Sequence, residues 1–253
     1  MSGHSKWATI KRAKAAVDAK RGKMFTKVTR EIIQAAKIGG GNPDMNPRLR
    51  SAILAARAVN MPQDNIKKAV MKGTGELVTD TLEDIVYEGY GPGGVAIMVE
   101  VTTDNKNRSA SDIRALFSKR NGNMGEPGSV AWMFEKKGQI VVPRQSIQED
   151  ELIAIALEAG ADDVTGEENS FTVSTGPREF ETVYQAVKAK LEPESAEVTL
   201  VPKNVVAVED EKTAEQLLAL VESLEDHDDV QKVHANFDIP DALMEKLRSR
   251  IGG

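Results

Sequence analysis

Apolar residues recur at helical spacing through the first part of the chain. From Gly22 to Ile38, Phe25, Val28, Ile32 and Ala36 fall on one stripe, with Lys23, Lys27 and Arg30 off it. Gly39-Gly40-Gly41 ends that helix, and Asn42-Pro43 opens a loop. Asn46 followed by Pro47 reads as an N-cap and a first-turn proline. The helix they start buries Leu49, Ile53 and Ala56 and presents Arg48, Arg50 and Arg57. Asn60-Met61-Pro62 stops it, and a third helix carries Ile66 and Val70 before Gly73 closes it. Three short helices on tight connections predict a small basic bundle, with residues 1–20 as a basic arm.

After Gly75 the period changes from helical to alternating. The spacing predicts strands at Ile85–Tyr87 and Val95–Val101, a helix at Asn107–Arg120 and a strand at Ser129–Phe134. Then come a strand (Gln139–Val142), a helix (Glu149–Ala159), two strands (Asp163–Thr165 and Phe171–Ser174), a helix (Arg178–Leu191) and a strand (Glu197–Val201). That run is βαββαβ, the order of a ferredoxin-like unit. A strand (Asn204–Val208), a helix (Ala214–Leu224) and a strand (Val230–Asn236) follow. Residues 76–135 stop short of a second such unit, and residues 203–240 supply what it lacks. The expected fold class is therefore multidomain α and α+β. An N-terminal three-helix bundle (1–75) is joined to two ferredoxin-like α+β domains, one (136–202) inserted in the other (76–135 plus 203–240). Residues 241–253 form a C-terminal tail.

Charge changes this picture most. Residues 1–75 hold sixteen Lys/Arg against four Asp/Glu, and the remaining 178 hold seventeen against thirty-five. The whole-chain value of −6 hides a basic end of +12 and an acidic remainder of −18. So concentrated a basic segment points to a polyanion, and phosphate backbones are the commonest one. The nucleic-acid contacts expected from it are Lys6, Trp7, Lys11, Arg12, Lys14, Lys20, Arg21, Lys23, Lys27, Arg30, Arg48 and Arg50. Aromatic residues make up only 4% of the chain. Trp7 is the stacking candidate of the basic part, so contacts to backbone and shape are expected over base-by-base reading.

Other chemistry finds few parts. The chain has no cysteine, which removes disulfides, thiolate nucleophiles and cysteine metal sites together. No apolar run approaches the length of a membrane span, and no apolar signal core leads the chain, so a cytoplasmic protein without a membrane partner is expected. His227 and His234 flank Asp228-Asp229 at a spacing that suits no common metal site, and this stretch reads as a solvated acidic turn. Gly89-Tyr90-Gly91-Pro92-Gly93-Gly94 satisfies G-x-G-x-x-G but leads into a strand instead of a helix, so it reads as a hairpin and not a dinucleotide loop. No enzyme activity, cofactor, metal or small-molecule substrate is expected. Thr103-Asp104-Asn105-Lys106-Asn107-Arg108 joins a strand end to a helix start. Its side chains suit a cap and turn, and Asn105, Lys106 and Arg108 equally suit a second contact to phosphate or to a partner. Gly122-Asn123-Met124-Gly125 and Gly128-Ser129 read as turns.

Several of these segments together resemble the YebC family. They are Ser2-Gly3-His4-Ser5-Lys6-Trp7, Asp18-Ala19-Lys20-Arg21-Gly22-Lys23, Phe25-Thr26-Lys27, Arg30-Glu31-Ile32 and Asn46-Pro47-Arg48-Leu49-Arg50. Asn60-Met61-Pro62, Tyr87-Glu88-Gly89-Tyr90-Gly91-Pro92-Gly93-Gly94, Thr103-Asp104-Asn105 and Gly128-Ser129-Val130 continue the likeness over essentially the whole chain. Lys106 stands where the family usually has Arg, which keeps charge but loses a bidentate donor, and Ala13 interrupts a usually denser basic cluster. The resemblance implies a helical N-terminal domain followed by two α+β domains, and a role in gene expression. Members are described as DNA-binding transcriptional regulators. Others, including a mitochondrial translational activator of cytochrome c oxidase subunit I, act on ribosomes, and bacterial members are linked to relief of stalling at proline runs. The resemblance implies a nucleic-acid-binding regulator of the DNA-binding kind; the alternative is a translation factor whose partner is RNA on the ribosome.

Overall fold

Asn46 shows how local chemistry sets the first elements. Its side-chain oxygen accepts from the Leu49 N–H at 3.1 Å, and its amide donates to the carbonyls of Ala35 and Gly40, both at 2.8 Å. One buried side chain thus caps helix α2 (Pro47–Ala58) and ties it to the end of helix α1 (Asp18–Gly39). The computed structural model describes residues 18–78, 81–167 and 169–251. Helix α3 (Gln63–Gly73) packs back so closely that a Cβ on Gly73 would lie 2.4 Å from the Ile33 carbonyl oxygen. Ile32, Ile33, Leu49, Ala52, Ala56, Ile66 and Ala69 are all buried.

Two compact units are built from this chain. The first gathers α1 up to Arg30, the segment ending at Glu135 and the segment beginning at Pro202. Its sheet comprises β1 (Glu83–Tyr90), β2 (Ala96–Thr103), β3 (Asn123–Met124) and β9 (Val230–Ala235), in the order β3-β1-β2-β9, antiparallel throughout. Helix α4 (Lys106–Lys119) and helix α7 (Glu211–Glu225) pack on this sheet and on each other. Strand alternation sends Ile97, Val99 and Val101 of β2 and Val233 and Ala235 of β9 into one core with Phe117, Leu217, Leu220 and Leu224. Residues expected as a tail instead form helix α8 (Asp241–Ile251). Met244 and Leu247, one helical turn apart, join the same core.

The second unit gathers α1 from Glu31, helices α2 and α3, and Lys136–Val201. It carries β4 (Phe134–Pro143), helix α5 (Glu149–Glu158), β5 (Asp163–Gly166), β6 (Ser170–Thr175), helix α6 (Phe180–Lys188) and β7 (Ser195–Pro202). The strand order β5-β6-β4-β7 is ferredoxin-like, as the βαββαβ pattern predicts. Ile140, Val142, Leu152, Phe171, Val173, Val183 and Tyr184 form its core.

Two strand expectations are corrected. The strand expected at Asn204–Val208 shrinks to β8 (Val206–Ala207), which pairs in parallel with β10 (Phe237–Asp238) in a ladder of its own. The four-stranded sheet is completed without it, in the order β3-β1-β2-β9. The strand expected at Ser129–Phe134 is a tight turn followed by one turn of 3₁₀ helix at Ala131–Met133. The cause is Glu88. Its buried carboxylate accepts the N–H groups of Gly128, Val130 and Ala131 at 2.7, 2.7 and 2.8 Å, donors that a strand ladder would need. Burial pushes the Glu88 carboxyl up, but those three amides outweigh it and hold it below the ordinary carboxylate range. Gly128 sits at φ +89°, a conformation that favours glycine.

Replacing Asn46 by Ala should remove the α2 cap and strand two carbonyls next to buried surface. We expect a loss of about 2–3 kcal/mol in urea unfolding. A loss below about 0.5 kcal/mol, within the ordinary scatter of surface substitutions, would show that the cap is not what joins α1 to α2.

Candidate nucleic-acid interface

Helix α7 ends badly by its own sequence. Its last turn has no basic residue, Glu222, Glu225 and Asp226 crowd its end, and the final carbonyls of a helix lack internal partners. Helix α1 supplies what is missing. Lys23, Lys27 and Arg30 share one helical face, spaced four and three residues apart. Lys23 Nζ donates to the Asp226 carbonyl at 3.3 Å, Lys27 Nζ to the Glu225 carbonyl, and Arg30 Nη1 to the Asp228 carbonyl at 3.0 Å. Three expected phosphate contacts therefore also serve inside the first unit, as a cap donated by another helix.

Arg30 does more. Its Nη1 lies 2.6 Å from Oδ1 of Asp229, whose residue is only 3% exposed. The other carboxylate oxygen accepts from Ser109 Oγ at 2.7 Å, and from Thr103 Oγ1 and Arg108 Nη2, both at 3.2 Å. Burial alone would push the Asp229 carboxyl up. Hydrogen bonds from Ser109, Arg30 and Arg108 outweigh it and bring the group down to about 2. The stretch expected as a solvated acidic turn thus carries the most deeply held carboxylate of this unit.

The Asn105 segment is a cap. Asn105 Oδ1 accepts from the Arg108 N–H at 3.1 Å at the start of α4. The Arg108 guanidinium is shared between Asp104 at 2.6 Å and Asp229, which raises its already high pKa, while pairing with Arg108 lowers that of Asp104. Lys106 is exposed. An open cleft of about 240 Å³ lies here, but Glu83 and Asp104 line it together with Lys106, so its charges oppose one another.

The remaining expected contacts fall elsewhere. In the second unit Arg48 pairs with Glu31, Nε to Oε1 at 2.7 Å and Nη2 to Oε2 at 3.0 Å. Arg50, expected on a presented face, is buried; it pairs with Glu181 and lies over the Tyr184 ring, 4.6 Å from its centroid. Lys20 and Arg21 lie on α1 before the capping cations, and Lys6, Trp7, Lys11, Arg12 and Lys14 fall outside the described residues. The histidines do not converge: His234 contacts Glu100 at 2.9 Å, and His227 Nδ1 accepts from the Asp229 N–H at 3.1 Å. Among the described residues no group of three or more His, Asp or Glu is placed to hold a metal ion, and no helix is long and apolar enough to cross a membrane.

Sequence reasoning missed Asp229 and Glu88. An acid between a histidine and an apolar strand (Asp229) and an acid inside a strand before glycine (Glu88) were the available signals.

Known proteins place the chain. Residues 5–76 match the family description "TACO1/YebC protein N-terminal domain", and residues 82–237 match "TACO1/YebC second and third domain". The chain belongs to the TACO1/YebC family. A relative from Syntrophobacter fumaroxidans is 58% identical over 248 residues, covering 98% of this chain and 100% of that protein. Another from Dictyoglomus turgidum is 58% identical over 249 residues, covering 98% and 100%. Both are named "Probable transcriptional regulatory protein". The crystal structure of a conserved hypothetical protein from Aquifex aeolicus is similar at 47% identity and a TM-score of 0.82, covering 90% of this chain and 94% of that one. The segments that carry the sequence resemblance include Glu88 and Gly128, which in this chain clamp a turn.

Asp229 generates a pH test. Its folded value, about 2, lies below the ordinary 3.8, so its contribution is complete above that ordinary value. It is lost as pH falls toward about 2, an effect on the order of 2 kcal/mol. Asp229→Asn should be less stable at neutral pH and should lack that part of the acid transition. Superimposable acid-unfolding curves for the two proteins would refute the assignment.

Proposed function

We propose that the chain is a nucleic-acid-binding regulator of gene expression, in the form of a DNA-binding transcriptional regulator that grips phosphates through the start of the chain. The observation that carries this reading is the density of charge, sixteen Lys/Arg against four Asp/Glu in residues 1–75. The names of the relatives support the regulatory role. Internal duties divide the cations. Lys23, Lys27 and Arg30 have acceptors on the α7 end and Asp229, while Arg48 and Arg50 have Glu31 and Glu181. On this reading the main phosphate contacts are Lys6, Lys11, Arg12, Lys14, Lys20 and Arg21, with Trp7 among them, and they act by releasing condensed counterions. At the second contact, proposed for Asn105, Lys106 and Arg108, both cations are exposed, and Arg108 is shared with Asp104 and Asp229.

A translation factor acting on RNA at the ribosome is the second reading. One observation favours it: Trp132 is 63% exposed, and duplex DNA offers no unstacked base to meet its ring.

Replacing Lys6, Lys11, Arg12, Lys14, Lys20 and Arg21 by Gln should weaken duplex binding. The slope of log K against log salt should become shallower by about 0.9 for each phosphate that is no longer neutralised. Arg50→Gln should instead lower stability and leave that slope alone. An unchanged slope in the six-fold variant would reject this assignment of the grip.

A further inference from the structure

Among the described residues, Trp132 is the aromatic side chain held out to solvent. Among the described residues every other aromatic side chain is buried or half-buried, whereas Trp132 is 63% exposed. The ring is also fixed in place. Its Nε1–H donates to the Ser129 carbonyl at 3.1 Å, and the same carbonyl accepts from Tyr90 Oη at 3.1 Å. Beneath it, the Glu88 carboxylate pins the amides of Gly128, Val130 and Ala131, and Val130 is fully buried. On the other side the Lys203 N–H bonds to the Met133 carbonyl and Lys203 Nζ to the Trp132 carbonyl, both at 2.9 Å. A buried carboxylate and a set of hydrogen bonds therefore orient an indole whose own burial returns little free energy.

We propose that Trp132 is a preorganised stacking platform for an unpaired nucleobase, with Lys203 placed to meet the adjoining phosphate. Three features select that occupant. The indole N–H is already satisfied within the turn, so the ring offers its faces and no directional donor, which suits stacking on any base. Lys203 is exposed and its Nζ bonds the Trp132 carbonyl, so a cation is anchored on the backbone of the same residue. The protein's basic segment is complementary to the polyanion that would carry the base. The turn adds its own rigidity: a Cβ on Gly125 would come within 2.6 Å of Ser129 Oγ, so this backbone is packed against its own loop. Holding the ring still removes ordering cost from the bound state. The inference rests on the coarser reading that the chain binds nucleic acid, and adds to the phosphate grip a separate site in the first unit for an unpaired base of a single-stranded or looped segment.

The test compares full-length wild type, Trp132→Ala, Trp132→Phe and the six-fold Gln variant. The probes are a short single-stranded oligonucleotide and the same sequence as a duplex, each in RNA and DNA form, followed by anisotropy. Trp132→Ala should weaken single-strand binding about tenfold, the scale of losing one stacked base, and leave duplex affinity and the melting temperature unchanged. Trp132→Phe should recover most of that affinity, and a thiouridine-bearing single strand should photo-crosslink to the peptide containing Trp132. Equal single-strand affinity in wild type and Trp132→Ala, with the six-fold variant still impaired, would overturn the platform and leave the nucleic-acid reading standing. Capture of a protein by the Trp132 face, with unchanged oligonucleotide affinity, would overturn the platform equally. Failure of wild type to bind either probe would overturn both readings.

Discussion

A carboxylate buried to 3% exposure has to be either neutral or fully surrounded by donors, and Asp229 is surrounded. Its donors come from three places in the chain: Arg30 on α1, Thr103 at the end of β2, and Arg108 and Ser109 on the first turns of α4. The acid itself follows the end of α7. One charge therefore fixes the meeting point of a strand and three helices in the first unit. It also explains why cations that look like spare phosphate contacts are positioned as they are. Removing one partner of such a set costs more than the set contributes, because the rest are left desolvated and unpaired.

The arrangement divides labour along the basic segment. Cations at residues 23, 27 and 30 serve both the α7 carbonyls and Asp229, so their geometry is set by the fold. Arg50 makes the complementary point in the second unit, where a guanidinium is sandwiched between Glu181 and the face of Tyr184. A positive charge in a basic segment is evidence of nucleic-acid contact only after its internal duties have been subtracted.

Period and punctuation carried much of the architecture. The stripe through Ile32 and Ala36, the Asn46-Pro47 start and the βαββαβ order each correspond to a local rule, and each recurs in the structure. The failures share one cause. Val130, Trp132 and Phe134 alternate as a strand should, yet a single acid forty residues earlier takes the amides that the ladder would use. Asp229 reads as solvated beside Asp228, and only its long-range partner Arg30 reveals otherwise. The shortening of β8 is of the same kind, since its two residues pair with β10, distant in sequence. Contacts across long sequence separations are invisible to periodicity, and those of Glu88 and Arg30 are of that kind.

The interleaving of the two units also has a consequence in time. Every strand of the ferredoxin-like sheet has been synthesised once Pro202 is made, and its helical companions precede it. The other sheet then possesses only β1, β2 and β3, and Ile97, Val99 and Val101 still lack α7, whose leucines cover them. Vectorial synthesis therefore completes the second unit first and leaves the first one open until the segment from Pro202 onward emerges. Asp229 arrives within that segment, closing a socket that Arg30, Thr103, Arg108 and Ser109 already supply.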